Sequence, residues 1–315
     1  MSNSVSVIIP VYNSSTILPE LIRRLFAVLS MHFNQFEVIL VNDGSVDNSW
    51  EVIAGICNEY SWVKGINMMR NYGQHNALLC GIRAAKYEVV VTMDDDLQHP
   101  PEEIPILLAK LAEGFDVVYG SPKTLPHSWW RNLFSSLIKQ LLSSIIGIAN
   151  FRSFSAFRVF KTELREAFAE YHNPDVNIDV VFSWGTTRFS SVIVEHAPRE
   201  IGTSNYSFWK LFNVAIQVIT SFSTAPLRIA SFIGFAFMFF GVLIFVYVIY
   251  VYIFLSTLPG FPFLASIIAL FSGAQLFALG ILGEYLAKMF LRSMNRPPYV
   301  VRETTTNLVQ DGANQ

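Results

Sequence analysis

The chain has 315 residues, of which 52% are hydrophobic and only 15% charged, and its net charge is −2. Its mean hydropathy is +0.40. The abundance of apolar residues and the presence of only two cysteines exclude a disordered chain, a collagen-like chain and a scaffold held by disulfides. The charge gives no indication of a nucleic-acid partner, and the absence of Asp, Glu, Lys and Arg from Ile229 to Gly283 excludes a purely soluble chain.

The first third of the chain alternates short β-branched runs with amphipathic stretches, which predict strands and helices respectively. The predicted strands are residues 5–11, 36–41, 63–68, 88–93 and 116–119. The predicted helices are residues 16–29, 47–58, 75–84 and 101–113. This alternation predicts an α/β fold with a mostly parallel, doubly wound sheet, whose ligands bind beyond the carboxyl ends of the strands.

Two later segments, 126–150 and 206–222, place apolar side chains on one helical face and polar side chains on the other. One interpretation is a pair of helices packed on a globular core. The other is a pair of interfacial helices lying on a bilayer, which Trp129 and Trp130 near the start of the first segment favour. We expect the membrane surface, because two longer apolar segments follow.

Segments 229–255 and 261–285 are each long enough to cross ~30 Å of hydrocarbon, which takes ~20 apolar residues. A short connection joins them into a transmembrane hairpin. Arg228 precedes the first span, and further basic residues follow the second, whereas the connection has none. Those after the second span are Lys288, Arg292, Arg296 and Arg302. Basic residues mark the cytosolic side, so both ends of the hairpin are expected there, with an N-terminal domain that opens without a cleavable signal peptide.

The strongest local signal for chemistry is the acidic triplet Asp94-Asp95-Asp96, directly after the fourth predicted strand. Carboxylates two positions apart at a strand end can both reach one divalent ion, and Mg²⁺ or Mn²⁺ completes its shell with water and substrate phosphates. A solvated acidic turn is the plainer alternative. The position after a buried strand favours a metal site formed by Asp94 and Asp96.

The first three predicted strands also end in polar or turn-forming residues. These are Pro10, Val11, Tyr12 and Asn13 after the first strand, Asn42, Asp43, Gly44 and Ser45 after the second, and Arg70 to His75 after the third. Carboxyl ends of parallel strands meet at one edge, so we expect a single crevice there. A helix N-cap explains Ser45 equally well, and His75 by itself is more typical of a structural residue.

These residues resemble those of family-two glycosyltransferases with the GT-A fold. The resemblance is carried by Val-Ile-Ile-Pro-Val-Tyr-Asn at 7–13, Asn-Asp-Gly-Ser at 42–45, Arg-Asn-Tyr-Gly-Gln-His at 70–75 and Asp-Asp-Asp-Leu-Gln-His-Pro-Pro-Glu-Glu-Ile-Pro at 94–105. Later motifs at 157–160, 202–207, 221–228 and 282–285 are similar to those of bacterial polyisoprenyl-phosphate glycosyltransferases related to dolichol-phosphate mannose synthase. Among these, the chain resembles the undecaprenyl-phosphate glucosyl, N-acetylglucosaminyl and aminoarabinosyl transferases with two C-terminal spans.

The resemblance implies inverting transfer of a sugar from a nucleotide-sugar, expected to be a UDP-sugar, to undecaprenyl or a similar polyisoprenyl phosphate, with Mg²⁺ or Mn²⁺ as cofactor. The implied metal ligands are Asp94 and Asp96, with Asp94 nearer the donor diphosphate. The expected donor-binding residues are Pro10, Tyr12, Asn13, Asp43, Asn71, Gly73, Asp94, Asp95 and Gln98. Arg131, Arg158, Arg199 and Ser204 are expected at the phosphate groups of donor or lipid, and Asp94, Asp96 and Arg158 are the expected catalytic residues.

Two positions depart from the family pattern. Ala156 replaces an Asp that many relatives carry and that has been proposed as a base, and Asn205 stands where a lysine is usual. A phosphate monoester has a second pKa near ~6 and is largely dianionic at pH 7, so the acceptor needs orientation more than deprotonation. Asp94, Asp95, Asp175 and Asp179 remain alternatives as an assisting group.

The expected domains are a GT-A core at 1–125, an interfacial and acceptor region at 126–202, a juxtamembrane helix at 203–227, two transmembrane helices within 228–292 and a cytosolic tail at 293–315. The expected location is the bacterial inner membrane. The expected partners are the nucleotide-sugar, the polyisoprenyl phosphate and the membrane, with no nucleic acid. A homo-oligomer, a downstream flippase and a downstream glycosyltransferase remain open.

Two other functions stay open at this point. One is a membrane-anchored glycosyltransferase acting on a glycan, although the Gln-x-x-Arg-Trp motif of long-chain processive relatives is missing. The other is a catalytically degenerate protein that only binds a nucleotide-sugar, for which Ala156 and Asn205 are the motivation.

Overall fold

The computed structural model describes residues 4–122, 155–195, 220, 224–254 and 260–305. The chain divides into two compact units. The first comprises Met1–Asn205 and Arg296–Gln315, and the second comprises Tyr206–Asn295. The amphipathic segments predicted at 126–150 and 206–222 lie outside the described residues, apart from residue 220.

Within the described ranges, eight strands of the first unit form one sheet in the order β7-β5-β6-β4-β1-β2-β3-β8. The strands are β1 (Ser4–Val11), β2 (Gln35–Asn42), β3 (Val63–Met68), β4 (Val89–Thr92), β5 (Val117–Pro122), β6 (Arg158–Lys161), β7 (Phe189–Val194) and β8 (Val301–Thr305). The pairs β1–β2, β1–β4, β2–β3 and β5–β7 are parallel. The strands β6 and β8 run antiparallel to their neighbours.

Helices cover both faces of this sheet. They are α1 (Leu18–His32), α2 (Ser49–Glu59), α3 (Gln74–Ala84), α4 (Ile104–Ala112) and α5 (Ile178–Gly185), with 3₁₀ turns at Pro101–Glu103 and Thr162–Phe168. One core cluster contains apolar residues of α1, α2 and α4, and the other contains those of α3 and α5. Strands β1, β2 and β4 contain continuous apolar runs, as expected of strands buried on both faces, whereas β3 is interrupted by Lys64, Gly65 and Asn67. The predicted α/β fold with a mostly parallel sheet is confirmed.

Among the described strands and α-helices of the first unit, β6, β7, β8 and α5 have no counterpart in the sequence predictions. The strand β8 lies in the segment expected to be a tail, and it forms the edge of the sheet beside β3. All five of its residues are at least partly exposed, so its sequence lacks the apolar run that indicates a strand.

The second unit contains the helices α6 (Ala225–Phe254) and α7 (Phe261–Ser293). Both are long and apolar enough to cross a membrane, over Ala225–Val251 and Leu270–Ser293. Large apolar side chains are exposed along them, for example Phe232 at 74% and Leu276 at 68%, as expected of helices whose solvent is lipid. The helix α6 begins before the predicted start at 229, and α7 continues past the predicted end at 285 to Ser293.

Candidate active site

A cleft of about 280 Å³ lies at the carboxyl ends of β1, β2, β3 and β4. Its lining residues are Pro10, Val11, Tyr12, Asp43, Asn71, Gly73, Gln74, Asp94, Asp95 and Asp96. The cleft therefore contains all three aspartates of the acidic triplet. It occupies the position where open α/β sheets bind their ligands.

Asp43 joins the loop after β2 to the loop after β3. Its Oδ1 accepts a hydrogen bond from the Tyr72 backbone N–H at 2.7 Å, and its Oδ2 accepts one from the Gly73 N–H at 2.9 Å. Burial raises the pKa of Asp43, and the two backbone donors offset part of that rise. The carboxylate thus fixes one loop against the other at the cleft wall.

The adjacent Gly44 is required by the close approach of these two loops. It has a φ of +65°, and a Cβ at this position would lie 2.5 Å from the carbonyl carbon of Arg70 and also too close to the Asn71 nitrogen. Both the backbone conformation and the lack of space exclude a side chain. The cleft can therefore have this shape only with a glycine after Asp43.

Asp95 connects the acidic triplet to the end of β1. Its Oδ2 accepts a hydrogen bond from the Tyr12 backbone N–H at 3.1 Å. Burial raises the pKa of Asp95, the Ser14 hydroxyl and the Tyr12 N–H lower it, and the neighbouring Asp96 charge adds to the rise. Asp95 thereby holds the Tyr12 turn in place, which separates its role from those of the two aspartates flanking it.

Asp94 and Asp96 lie in the same cleft on either side of Asp95. The Gln74 side-chain amide donates to Asp94 Oδ1 at 2.5 Å, and the Gln98 backbone N–H donates to Asp96 Oδ1 at 3.1 Å. Among the residues that the structure describes, no group of three or more His, Cys, Asp or Glu side chains is arranged to hold a metal ion. A pair of carboxylate donors still fits Mg²⁺ or Mn²⁺, since these ions take one or two carboxylates and complete their shells with water and phosphate.

Arg158 is buried, with 2% of its side chain exposed, and it forms an ion pair with Asp179 at the start of α5. Its Nε donates to Thr92 Oγ1 at 2.9 Å, and the Tyr119 hydroxyl donates to Asp179 at 2.9 Å. Although burial lowers the pKa of Arg158, the carboxylate of Asp179 keeps it above the ordinary value, and Asp94 contributes in the same direction. The arginine is thus a fixed positive charge within a buried ion pair.

His75 packs near the same ion pair. The Ile178 backbone N–H donates to His75 Nδ1 at 3.4 Å, and this contact indicates that the proton of the neutral ring is on Nε2. Burial lowers the pKa of His75, Asp179 raises it and Arg158 lowers it, with a net fall. The ring is therefore neutral at pH 7, which is consistent with the structural role expected for it.

The structure brings most of the expected donor-binding residues to the cleft, and it separates others from it. Asn13 and Gln98 are next to lining residues but do not line the cleft themselves. Arg158 lies in the buried ion pair, and Arg131, Arg199 and Ser204 are outside the described residues.

Gln74 and Tyr119 were not among the expected site residues. Gln74 lies within the quoted motif at 70–75, directly after the positive-φ Gly73, so its place at the start of α3 was a usable signal. No sequence signal pointed to Tyr119. Its hydroxyl reaches Asp179 because the pairing of β5 with β6 places Tyr119 opposite Arg158.

A mostly parallel sheet with an acidic cleft at the carboxyl ends of its strands is the arrangement expected of a glycosyltransferase with the GT-A fold. The model of the family described as "Glycosyl transferase family 2" matches residues 6–186. The chain belongs to this family.

The relatives and fold neighbours agree with this assignment. The undecaprenyl-phosphate 4-deoxy-4-formamido-L-arabinose transferase of Proteus mirabilis (strain HI4320) is 35% identical over 305 residues, covering 96% of this chain and 94% of that protein. The protein of the same name from Shewanella sediminis (strain HAW-EB3) is 35% identical over 314 residues, covering 98% and 95%. Glucosyl-3-phosphoglycerate synthase of Mycobacterium tuberculosis, crystallised with Mn²⁺, UDP-glucose and phosphoglyceric acid, has the same fold with a TM-score of 0.51 and 16% identity, over 69% of this chain and 78% of that one.

Proposed function

We propose that this protein transfers a sugar, with inversion, from a UDP-sugar to undecaprenyl phosphate or a closely similar polyisoprenyl phosphate at the cytosolic face of the bacterial inner membrane. The observation that carries the proposal is the combination, in one chain, of an acidic cleft with two helices apolar enough to span a bilayer. The nearly full-length similarity to undecaprenyl-phosphate sugar transferases supports the choice of acceptor.

The nucleotide is assigned to the part of the cleft formed after β1, β2 and β3. Pro10, Tyr12, Asp43, Asn71 and Gly73 line it. Although Asp43 accepts two backbone N–H groups, each carboxylate oxygen has two lone pairs, so it can also accept from a nucleobase or ribose. The bonded loops give a preformed pocket, which lowers the cost of ordering on binding.

The diphosphate of the donor is assigned to the acidic triplet. Asp94 and Asp96 would hold Mg²⁺ or Mn²⁺, and the ion, when bound, would neutralise the charge of the leaving nucleotide. Asp95 holds the Tyr12 turn through its backbone bond, and Gln74 orients Asp94. These fixed contacts keep the two proposed ligands in place before the substrate arrives.

The acceptor requires orientation rather than a strong base, because a phosphate monoester is largely dianionic at pH 7. This reasoning accommodates Ala156 at the position where relatives carry an Asp. Arg158 stays protonated in its ion pair with Asp179, and its burial keeps the guanidinium in one position. Arg131, Arg199 and Ser204 are proposed to bind the acceptor phosphate.

The proposal is tested by incubating the full-length protein in membranes with undecaprenyl phosphate, Mn²⁺ or Mg²⁺ and single nucleotide-sugars. The donors should include UDP-glucose, UDP-N-acetylglucosamine and UDP-4-deoxy-4-formamido-L-arabinose, beside GDP-sugars. We expect one UDP-sugar to give a lipid whose mass equals undecaprenyl phosphate plus the sugar residue. Label that stays water-soluble would favour a glycan acceptor, and binding without turnover would favour a degenerate binding protein.

The assignment of Asp96 as a metal ligand is tested by a substitution. Asp96→Ala is expected to lower kcat by about 10²-fold or more, the size of loss found when a principal electrostatic stabiliser is removed. Glu51→Gln, at an exposed position on α2, is the matched control and should keep wild-type turnover. Full activity of Asp96→Ala at saturating Mg²⁺ or Mn²⁺ would contradict the assignment.

A further inference from the structure

The strand β8 begins eight residues after α7 ends, and it is bound to β3 by more than its ladder pairing. Thr305 Oγ1 accepts a hydrogen bond from the Gly65 N–H at 2.7 Å. At the other end, the Met69 N–H donates to the Val300 carbonyl at 2.9 Å, and Arg302 donates to the Met69 carbonyl at 3.2 Å. Met69 directly precedes the loop that carries Asn71 and Gly73, so this segment is attached to the base of a cleft wall.

Three polar side chains lie opposite one another in register across β2, β3 and β8: Asn42, Asn67 and Glu303. The Asn67 Nδ2 donates to Glu303 Oε1 at 2.9 Å, and the Asn42 Nδ2 donates to Asn67 Oδ1 at 2.8 Å. Asn42 Oδ1 in turn accepts from the backbone N–H of Ser45 at 3.3 Å. This polar row therefore runs from the last strand of the chain to the turn that follows β2.

The turn reached by the polar row belongs to the cleft. Asp43 lies between Asn42 and Ser45, and the Ser45 hydroxyl accepts from the Asn13 N–H at 3.0 Å, which ties the turn to the end of β1. Asn42 and Asn67 are 3% and 6% exposed, so their amides depend on protein partners in the folded chain. A change at Glu303 is thereby transmitted to both loops that form the nucleotide side of the cleft.

Glu303 sets the direction of every bond in the polar row. An ionised carboxylate only accepts hydrogen bonds, whereas an Asn side chain can present either its oxygen or its NH₂ group to a neighbour. With Glu303 present, Asn67 must turn its NH₂ group outwards and its oxygen towards Asn42, and Asn42 must then turn its oxygen towards Ser45. Without an acceptor at position 303, both amides can reverse, and the Ser45 N–H loses its partner.

We propose that Glu303 is a positioning residue for the donor nucleotide, acting through Asn67 and Asn42 to hold the 42–45 turn. The inference rests on the proposed function in one respect, namely that this turn binds the nucleotide. Its effect is on donor binding and not on the chemical step, because Glu303 lies at the edge of the sheet and not among the cleft-lining residues.

The first experiment needs no ligand. Backbone hydrogen exchange of the peptide containing 42–46 is compared among full-length wild type, Glu303→Ala, Glu303→Gln and Thr304→Ala in detergent. We expect exchange in Glu303→Ala to be faster by about 3- to 10-fold, the equivalent of one lost hydrogen bond. Glu303→Gln keeps an acceptor oxygen but also offers an NH₂ group, so its exchange should lie between those of wild type and Glu303→Ala. Thr304 pairs with Ile66 and points to the other face of the strand, so Thr304→Ala is the matched control.

The second experiment measures the consequence with Mn²⁺ and UDP as the probe. Titration calorimetry should show affinity lowered about 3- to 10-fold in Glu303→Ala and lowered to a smaller extent in Glu303→Gln. Steady-state kinetics should show KM for the UDP-sugar raised to the same extent with kcat unchanged. Unaltered exchange at 42–46 in Glu303→Ala, or a fall in kcat at constant KM, would overturn the inference. If wild type does not bind UDP, the proposed nucleotide is wrong, while the exchange result still decides whether Glu303 holds the turn.

Discussion

Three carboxylates in the two halves of the sheet, Asp43, Asp179 and Asp116, are held in different ways. In the half formed by β1, β2, β3 and β8, Asp43 is bound by the backbone N–H groups of Tyr72 and Gly73. In the half formed by β4, β6, β5 and β7, Asp179 is bound by Arg158, and Asp116 is bound by Arg188. Backbone donors hold a carboxylate in place without cancelling its charge, whereas a guanidinium holds the carboxylate and also cancels its charge.

This difference separates what each half depends on. The backbone-held half depends on how closely two loops can approach, so it should be sensitive to added side-chain volume. The arginine-held half depends on opposite charges, which are at low exposure in the Arg158–Asp179 pair, so it should be sensitive to removal of one partner and to acid. Each of the following changes tests one side of this contrast.

Removal of one partner from the buried ion pair should have the largest effect. Asp179→Ala leaves the Arg158 charge buried without its counter-ion, and we expect a loss of stability of about 3–5 kcal/mol. Thermal unfolding of the full-length protein in detergent measures it. Arg23→Ala removes the exposed Arg23–Glu20 pair and is the control, for which no measurable change is expected.

The double variant Arg158→Met/Asp179→Ala sharpens the same test. Because Arg158→Met removes the charge that Asp179→Ala leaves unpaired, the double variant should be more stable than Asp179→Ala alone. A double variant whose loss equals the sum of the two single losses would show that the two residues act independently. In that case the Arg158–Asp179 pair would not be an example of a carboxylate held by an arginine.

Added volume in the backbone-held half comes next. Gly44→Ala places a Cβ against the backbone of Arg70 and Asn71 at a φ of +65°, so the two loops must separate. We expect stability to fall by about 1–3 kcal/mol and KM for the nucleotide-sugar to rise. The readouts are thermal unfolding and initial rates at varied donor concentration.

Gly55→Ala is the matched control for this substitution. Gly55 lies within α2, and no atom lies within 4 Å of a Cβ built on it. Alanine is favoured over glycine inside a helix by roughly 0.5–1 kcal/mol, so this variant should be slightly more stable than wild type. Equal behaviour of the two alanine variants would mean that loop approach does not limit the site.

The same contrast explains how much of the fold could be predicted from the sequence. Elements β1 to β4 and α1 to α4 were predicted to within a few residues, because each has a local apolar period and each turn has a local polar signal. The strand β8 was not predicted, since its exposed residues form a strand only because β3 offers an unpaired edge. The short strand β6 likewise depends on its position between β4 and β5.

The site divides in the same way. Asp43, Gly44 and the acidic triplet follow apolar strands directly, so their convergence could be predicted from position alone. The partnership of Arg158 with Asp179 could not, because it requires the register that places Arg158 opposite Thr92 and brings the start of α5 to the same point. The spacing of residues along the sequence does not show which side chains of different strands and helices come into contact.

The smallest effect is expected at the second arginine-held carboxylate, Asp116. Burial raises the pKa of Asp116, but hydrogen bonds from Arg188, Thr186 and Lys161 outweigh it and lower the pKa to about 2. Arg188 is bidentate, with its Nη2 and Nε at 2.7 and 2.8 Å from the two carboxylate oxygens. Arg188 is largely exposed, so solvent reduces the contribution of this pair, and Asp116→Asn should lower Tm by only ~2 °C at pH 7.

The pH dependence gives this last prediction its sign. A carboxyl group whose pKa is lower in the folded state stabilises the fold above the unfolded pKa, which is about 4 for Asp, and that stabilisation is lost as the pH falls towards the folded value. The difference in Tm between wild type and Asp116→Asn should therefore be constant from pH 7 to about pH 4 and shrink below it. A difference that grows on acidification would mean that Asp116 is not held as an ionised carboxylate. The arginine-held half would then have only the Arg158–Asp179 pair as an example.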